Sequence, residues 1–235
     1  LNCNIKRISD NTWEKINRNI LGYAEDQGIE KGRKVRTDCT CVESNIHYPT
    51  DSTLLWDAVR VLTRLVERTQ KSFGKIPGYR NHTRRSKRRM LAILNAKNKT
   101  QRKAAYLDLL KISNKVVGHA CTAQTMIAAT IHHDLNQDAL FNEIRHYVGL
   151  AEKVIDQTQR RVVLKDDVPA SEKVLSIFEP HTDIIIKDRR ETFFGHKICL
   201  TGGASNLILD CVINRGNPAD VELAIPMLDR LKEIY

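Results

Sequence analysis

Two kinds of hydrophobic spacing alternate along this 235-residue chain, and their order restricts the fold more than any other feature. Residues 34 to 43, KVRTDCTCVE, set Val35, Thr37, Cys39 and Cys41 on one face and Arg36, Asp38, Thr40 and Val42 on the other. That two-residue period, with frequent β-branched residues, belongs to a strand. From about residue 52 the apolar residues recur at three- and four-residue spacing instead. Leu55, Ala58, Val59, Leu62, Leu65 and Val66 mark one helix near 52–70, and Leu140, Ile144, Val148, Ala151 and Ile155 mark another near 138–160. Two or three further helices end with that second one. The strand period returns in FFGHKICLTGG and LILDCVINRG, which flank a turn at Gly202 to Asn206. VLSIFEP and DIIIKD read as short extended segments. Ala219 to Tyr235 reads as a last helix that Pro226 kinks. A helix at 9–27, capped by Ser9 and closed by Gly28, precedes the first strand.

The expected organisation is a lead-in helix at 1–33, a first strand and loop at 34–51, a basic helical insertion at 52–168, and a hairpin with a final helix at 169–235. The fold class is α/β, with the first strand pairing to the hairpin and the last helix packing on that sheet.

Hydrophobic residues at 41% and charged residues at 28% suit a packed protein. No apolar run approaches the ~18 residues of a membrane span, so no membrane partner is expected. The six cysteines form no CxxC pair and read as reduced, buried thiols of a cytosolic protein. His132, His133 and Asp134 read as a helix end, since adjacent helical residues diverge. Gly202 and Gly203 read as a turn, with no phosphate-loop lysine after them.

The net charge of +10 favours polyanions. Between Arg68 and Leu107 there are many Lys and Arg and no Asp or Glu, and Arg84, Arg85, Lys87, Arg88 and Arg89 are the densest cluster. With no acid nearby in sequence, phosphate contact is the better reading than a solvated helix face. Lys187, Arg189, Arg190, His196 and Lys197 could extend such a surface. Aromatic residues, at 6%, do not interleave with the cations, which points to backbone contact rather than base stacking.

Asp38 is the acid of most interest. A mid-strand carboxylate is costly to bury unpaired, and Mg²⁺ is a natural partner for it. Pattern alone also allows an exposed strand Asp, or one paired with Arg36. Asp210 and Glu222 are the other acids considered, and neither is taken as catalytic. In the loop NIHYPTDS, Asp51 or Ser52 is expected to cap the next helix, and His47 stays a candidate for shaping a site.

Three long blocks carry a family resemblance. They are WEKINRNILGYAEDQGIEKGRKVR, RTDCTCVESNIHYPTDSTLLWDAVRVLTRL, and SIFEPHTDIIIKDRRETFFGHKICLTGGASNLILDCVINRGNPADVELAIPML. Together they resemble insertion-sequence transposases of the ISNCY-like group, of the DDE type. The resemblance implies a partial RNase H-like core, a mixed sheet with a large helical insertion after its first strand. It implies that Asp38 is the first catalytic, metal-binding acid, and that Mg²⁺ or Mn²⁺ serves the complete site. A second Asp and a later Glu would lie beyond Tyr235, so a C-terminally truncated fragment, inactive alone, is expected. Three acids are wanted because two metals about 4 Å apart would activate the attacking oxygen and stabilise the leaving one. The implied partners are DNA, as terminal inverted repeats and as target, and further copies of the chain in an active homo-oligomer. The implied setting is the prokaryotic cytoplasm, at the nucleoid. The alternative is a non-catalytic basic DNA-binding module from a degenerate element.

Overall fold

The structure, a computed structural model, describes residues 8–130, 134–187 and 191–233. Among these residues the chain is mixed α/β, with six α-helices and a four-stranded antiparallel sheet. It separates into a sheet unit, residues 1–44 with 183–235, and a helical unit, residues 45–182.

The sheet unit begins with α1 (Asp10–Asp26), whose start is capped as the sequence implies, the Ser9 hydroxyl accepting from Thr12 N–H at 3.3 Å. Gly28 takes φ 65° just past its end, a left-handed conformation that glycine adopts without a Cβ clash. Strand β1 (Val35–Glu43) pairs with β3 (Glu191–Gly203), setting Asp38 opposite Leu200 and Cys39 opposite Cys199. The other edge of β3 pairs with β2 (Asp183–Lys187) and, farther along, with β4 (Ile208–Asn214). Helix α6 (Asp220–Lys232) follows, with Pro226 inside it. Leu21 of α1, Leu209 of β4 and Leu231 of α6 are buried together, with Val35 and Leu207 against them. The first strand thus pairs with the hairpin, and the last helix shares a small core with it. The pairings among the described strands are antiparallel, where a mixed sheet was expected. A hairpin and the two ends of an inserted unit supply these strands, and neither needs the crossover that a parallel pair requires.

Two chain features decide this sheet's geometry. A Cβ on Gly195 would collide with the Val42 carbonyl, so β1 and β3 approach closely there only because position 195 has no side chain. A register shift lies between Thr201 and Gly202. It buries both Leu209 and Asp210, whereas Ile208 is 49% exposed, so the simple alternation through Ile208, Asp210 and Val212 breaks at its first member.

The cysteines depart from the reading of six free thiols. Cys39 and Cys199 form a disulfide across β1 and β3, while Cys41, Cys121 and Cys211 are free. Opposite residues of an antiparallel pair point to one face, and this register joins residues far apart in sequence.

In the helical unit, α2 (Asp51–Phe73) packs against α3 (Thr83–Leu94), α4 (Lys99–Ala128) and α5 (Leu135–Thr158). Leu55, Leu62, Val66, Leu109 and Ile144 are fully enclosed. Thr50, rather than Asp51 or Ser52, caps α2, accepting from Thr53 N–H at 3.2 Å. Asp51 is freed to turn inward, where its carboxylate accepts from Arg161 at 3.1 and 3.0 Å and from Gln157 at 3.3 Å. Gln157 also donates to the Val174 carbonyl at 3.2 Å and accepts from Val174 N–H at 2.9 Å. This explains why VLSIFEP is not a strand: Val174, Leu175 and Ile177 are buried, and a side-chain amide takes the place of a neighbouring strand. A π-helical turn, Gln159–Leu164, follows α5. Asp134 is the N-cap of α5, accepting from Gln137 N–H at 2.7 Å; His132 and His133 lie outside the described residues. No helix among the described residues is long and apolar enough to cross a membrane.

Candidate nucleic-acid interface

Helix α3 buries Ser86, Met90 and Ile93, which share one face at four- and three-residue spacing. That choice of buried face turns Arg84, Arg85, Lys87, Arg88 and Arg89 outward together. The helix has no acid in its first turn and no side-chain hydrogen bond at its cap. Cations at a helix N-terminus oppose its dipole, at a cost of about 0.3–1 kcal/mol each. The arrangement is therefore not one that helix stability selects.

One counterion comes from a neighbouring helix. Asp108 of α4 accepts from Arg85 at 2.6 Å and from Arg89 at 2.5 Å. Burial raises the Asp108 carboxyl, but the hydrogen bonds from Arg89 and Arg85 outweigh it and hold it below the usual Asp range. The expectation that no acid balances this cluster is corrected for these two residues, because helix packing brings in an acid that sequence distance hid. Lys87 lies over the Trp56 ring at 5.9 Å, beside Arg60 at 5.1 Å from the same ring. The neighbourhood is electropositive enough to be felt by histidine. Burial, then His119, Lys115, Arg85 and Arg80, push His82 below its ordinary value.

Charge divides sharply between the two units. The helical unit holds 23 Lys and Arg against 13 Asp and Glu, a net +10. The remainder, 15 against 15, leaves the sheet unit neutral.

In the helical unit, His47 Nε2 stands 3.4 Å from the carboxylate of Asp57, which is buried and also accepts from Arg60 at 2.8 Å. Asp57 thus anchors the loop before α2 onto its second turn. This is a structural setting for His47, and one that leaves the ring about half exposed.

In the sheet unit, Asp38 is 74% exposed and lies 3.7 Å from Arg36, itself 85% exposed. A pair so open contributes little to stability. Asp38 shares its sheet face with Leu200 and Cys211, whereas Asp210 lies on the other face with Thr37 and Thr201. Asp210 accepts from Arg230 at 2.8 Å, and Arg230 reaches Glu14 at 2.9 Å. That buried acid ties β4, α6 and α1 together. Lys187 ends β2 in an exposed position. Lys197 is buried, donates to the Pro218 carbonyl at 2.6 Å and pairs with Asp220, joining β3 to the start of α6. Arg189 and Arg190 lie outside the described residues.

Mg²⁺, the metal that the family resemblance implies, prefers six oxygens in octahedral array. Asp38 offers one carboxylate with a guanidinium beside it, and no group of three His, Cys, Asp or Glu among the described residues is placed to hold a metal ion. These residues do not fit the ion by themselves.

No protein-family model, no curated protein and no solved structure matches the chain.

Proposed function

We propose that the chain handles duplex DNA through its helical unit, as a member of the DDE transposases that its sequence resembles, with Asp38 as one of the three acids of that chemistry. The charge partition carries the DNA-binding part. A unit of net +10 beside a neutral one concentrates the attraction for phosphates in the inserted helices. In this reading the described strands would be the antiparallel part of an RNase H-like core. The antiparallel set β1, β3, β4 with α6 after it has a helical unit inserted behind β1.

Backbone contacts of this kind hold DNA without reading its sequence. Arg84, Lys87 and Arg88 are not held by Asp108 and would make them. Binding of a duplex should weaken steeply with salt, by a slope near −0.9 per phosphate contact. Reversing Arg84, Lys87 and Arg88 to Glu should flatten that slope by about 3. A wild-type affinity that hardly changes between low and moderate salt would remove the reading.

A second reading, a basic module without catalysis, draws on the pairing of Asp38 with Arg36. The two readings part at Asp38. In a preparation that cleaves terminal inverted repeats, Asp38→Ala should abolish cleavage and leave duplex affinity within about two-fold, because binding is carried by the other unit's cations. Retained cleavage decides for the second reading.

A further inference from the structure

A groove of about 590 Å³ lies between the first turns of α4 and the π-helical turn that follows α5. Lys99, Arg102 and Lys103 line it from α4, Arg161 and Lys165 line it from the other side, and no acid is among its lining residues. Three features distinguish it from scattered surface charge. Arg161 is fixed in place by the buried Asp51 carboxylate, yet its side chain remains 45% exposed. The π-helical turn is a rare element that recurs at functional sites. It closes on Lys165 at φ 63°, a left-handed conformation uncommon for a residue with a side chain, where Asp166 N–H donates to the Arg160 carbonyl at 2.9 Å. Finally, the α4 cations crowd the start of a 30-residue helix that has no acid in its first turn. The helix dipole disfavours them there, so an anion from outside would relieve both effects at once.

A second depression separates the groove from α3. This neighbouring depression is lined by Arg89, Asn95, Gln101 and Ala104, with Asp108, the partner of Arg89, also in its lining, and Ala104 lines the groove as well. The basic face of α3 and the groove therefore lie to either side of it within one unit.

We infer that this groove seats the phosphate backbone of duplex DNA and extends the track that starts at α3. The inference rests on the reading of the helical unit as DNA-binding and adds a second, separate stretch of contacts to it. Neither Arg161 nor Lys165 lies near α3 in sequence, so the track is assembled by packing.

The test compares the full wild-type chain with Lys99→Glu/Lys103→Glu and with Arg84→Glu/Arg88→Glu, titrating salt against a duplex of about two helical turns. The groove variant should bind with a slope shallower by about 2 and an affinity lower by about tenfold or more at 0.1 M salt. Its melting temperature should stay close to that of the wild type, because both lysines are exposed and an acid at position 99 suits the first turn of α4. A merely structural role would move stability and binding together. The neutral pair Lys99→Gln/Lys103→Gln should show the same loss at a smaller size. Wild-type slope and affinity in the groove variants, with both lowered in the α3 variant, would overturn the groove and leave the DNA-binding reading standing. A wild-type protein without salt-dependent duplex binding would overturn both.

Discussion

Asp108 accepts from Arg85 and Arg89 at once, at 2.6 and 2.5 Å, so one carboxylate of α4 occupies two of the five cations on α3. All three side chains are partly exposed. Asp108→Asn should release both guanidiniums toward a ligand at a stability cost of about 1–2 kcal/mol. Duplex affinity at 0.1 M salt should rise several-fold and its salt slope should steepen, by as much as about 2 if both arginines find phosphates. An isothermal titration series over salt checks this, and an unchanged slope would mean that α3 does not face the ligand.

Glu30 of the sheet unit accepts four hydrogen bonds. Its carboxylate accepts from Lys31 N–H at 2.9 Å, from Gly32 N–H at 3.0 Å, and from Ser205 through N–H at 3.0 Å and hydroxyl at 2.5 Å. The Ser205 hydroxyl is the main reason that its pKa falls to about 2, and the backbone donors add to it. A depressed carboxylate stabilises the fold above its unfolded value of 4.5 and loses that contribution as pH falls toward 2. Glu30→Gln should therefore lower the urea midpoint at pH 7, and its deficit against the wild type should shrink steadily from pH 5 to pH 2. A deficit independent of pH would show that packing, not charge, accounts for the loss. Gly203 belongs to the same device, because a Cβ there would overlap the Glu30 carboxylate.

Glycine substitutions should have opposite signs in the two units. Gly195→Ala would drive a methyl into the Val42 carbonyl and should abolish the β1–β3 pairing, seen as loss of the cooperative transition of the sheet unit. Gly118→Ala, inside α4 with open space around the new methyl, should stabilise by about 0.5–1 kcal/mol. Thermal melts of both variants suffice, and a stabilised Gly195→Ala would contradict the strand register.

Much of this architecture is legible from spacing. Strand β1 and helix α2 fall where period-two and period-3.6 patterns put them, because each buries one face along its length. The features that escaped depend on which distant segments meet. Asp108 reaches Arg89 only once α3 folds back on α4. Cys39 meets Cys199 only when the β1–β3 register is set. The groove joins Lys99 to Arg161 through the fold of α4 against the end of α5. The cap of α2 was not legible locally, since Asp and Ser are better N-cap types than Thr, yet Arg161 draws Asp51 inward and Thr50 takes the position. The site reading of Asp38 came from resemblance, and its neighbours here, Arg36, Leu200 and Cys211, add no second carboxylate to it.

The Cys39–Cys199 bond has a topological consequence. Its two ends are 160 positions apart, and the whole helical unit lies between them. The inserted helices thus form a covalently closed ring rooted on two adjacent strands. A protease that nicks this ring anywhere between its roots would leave a single molecule until reductant is added. While the bond stays oxidised, unfolding of the insertion cannot spread the strands apart at that point.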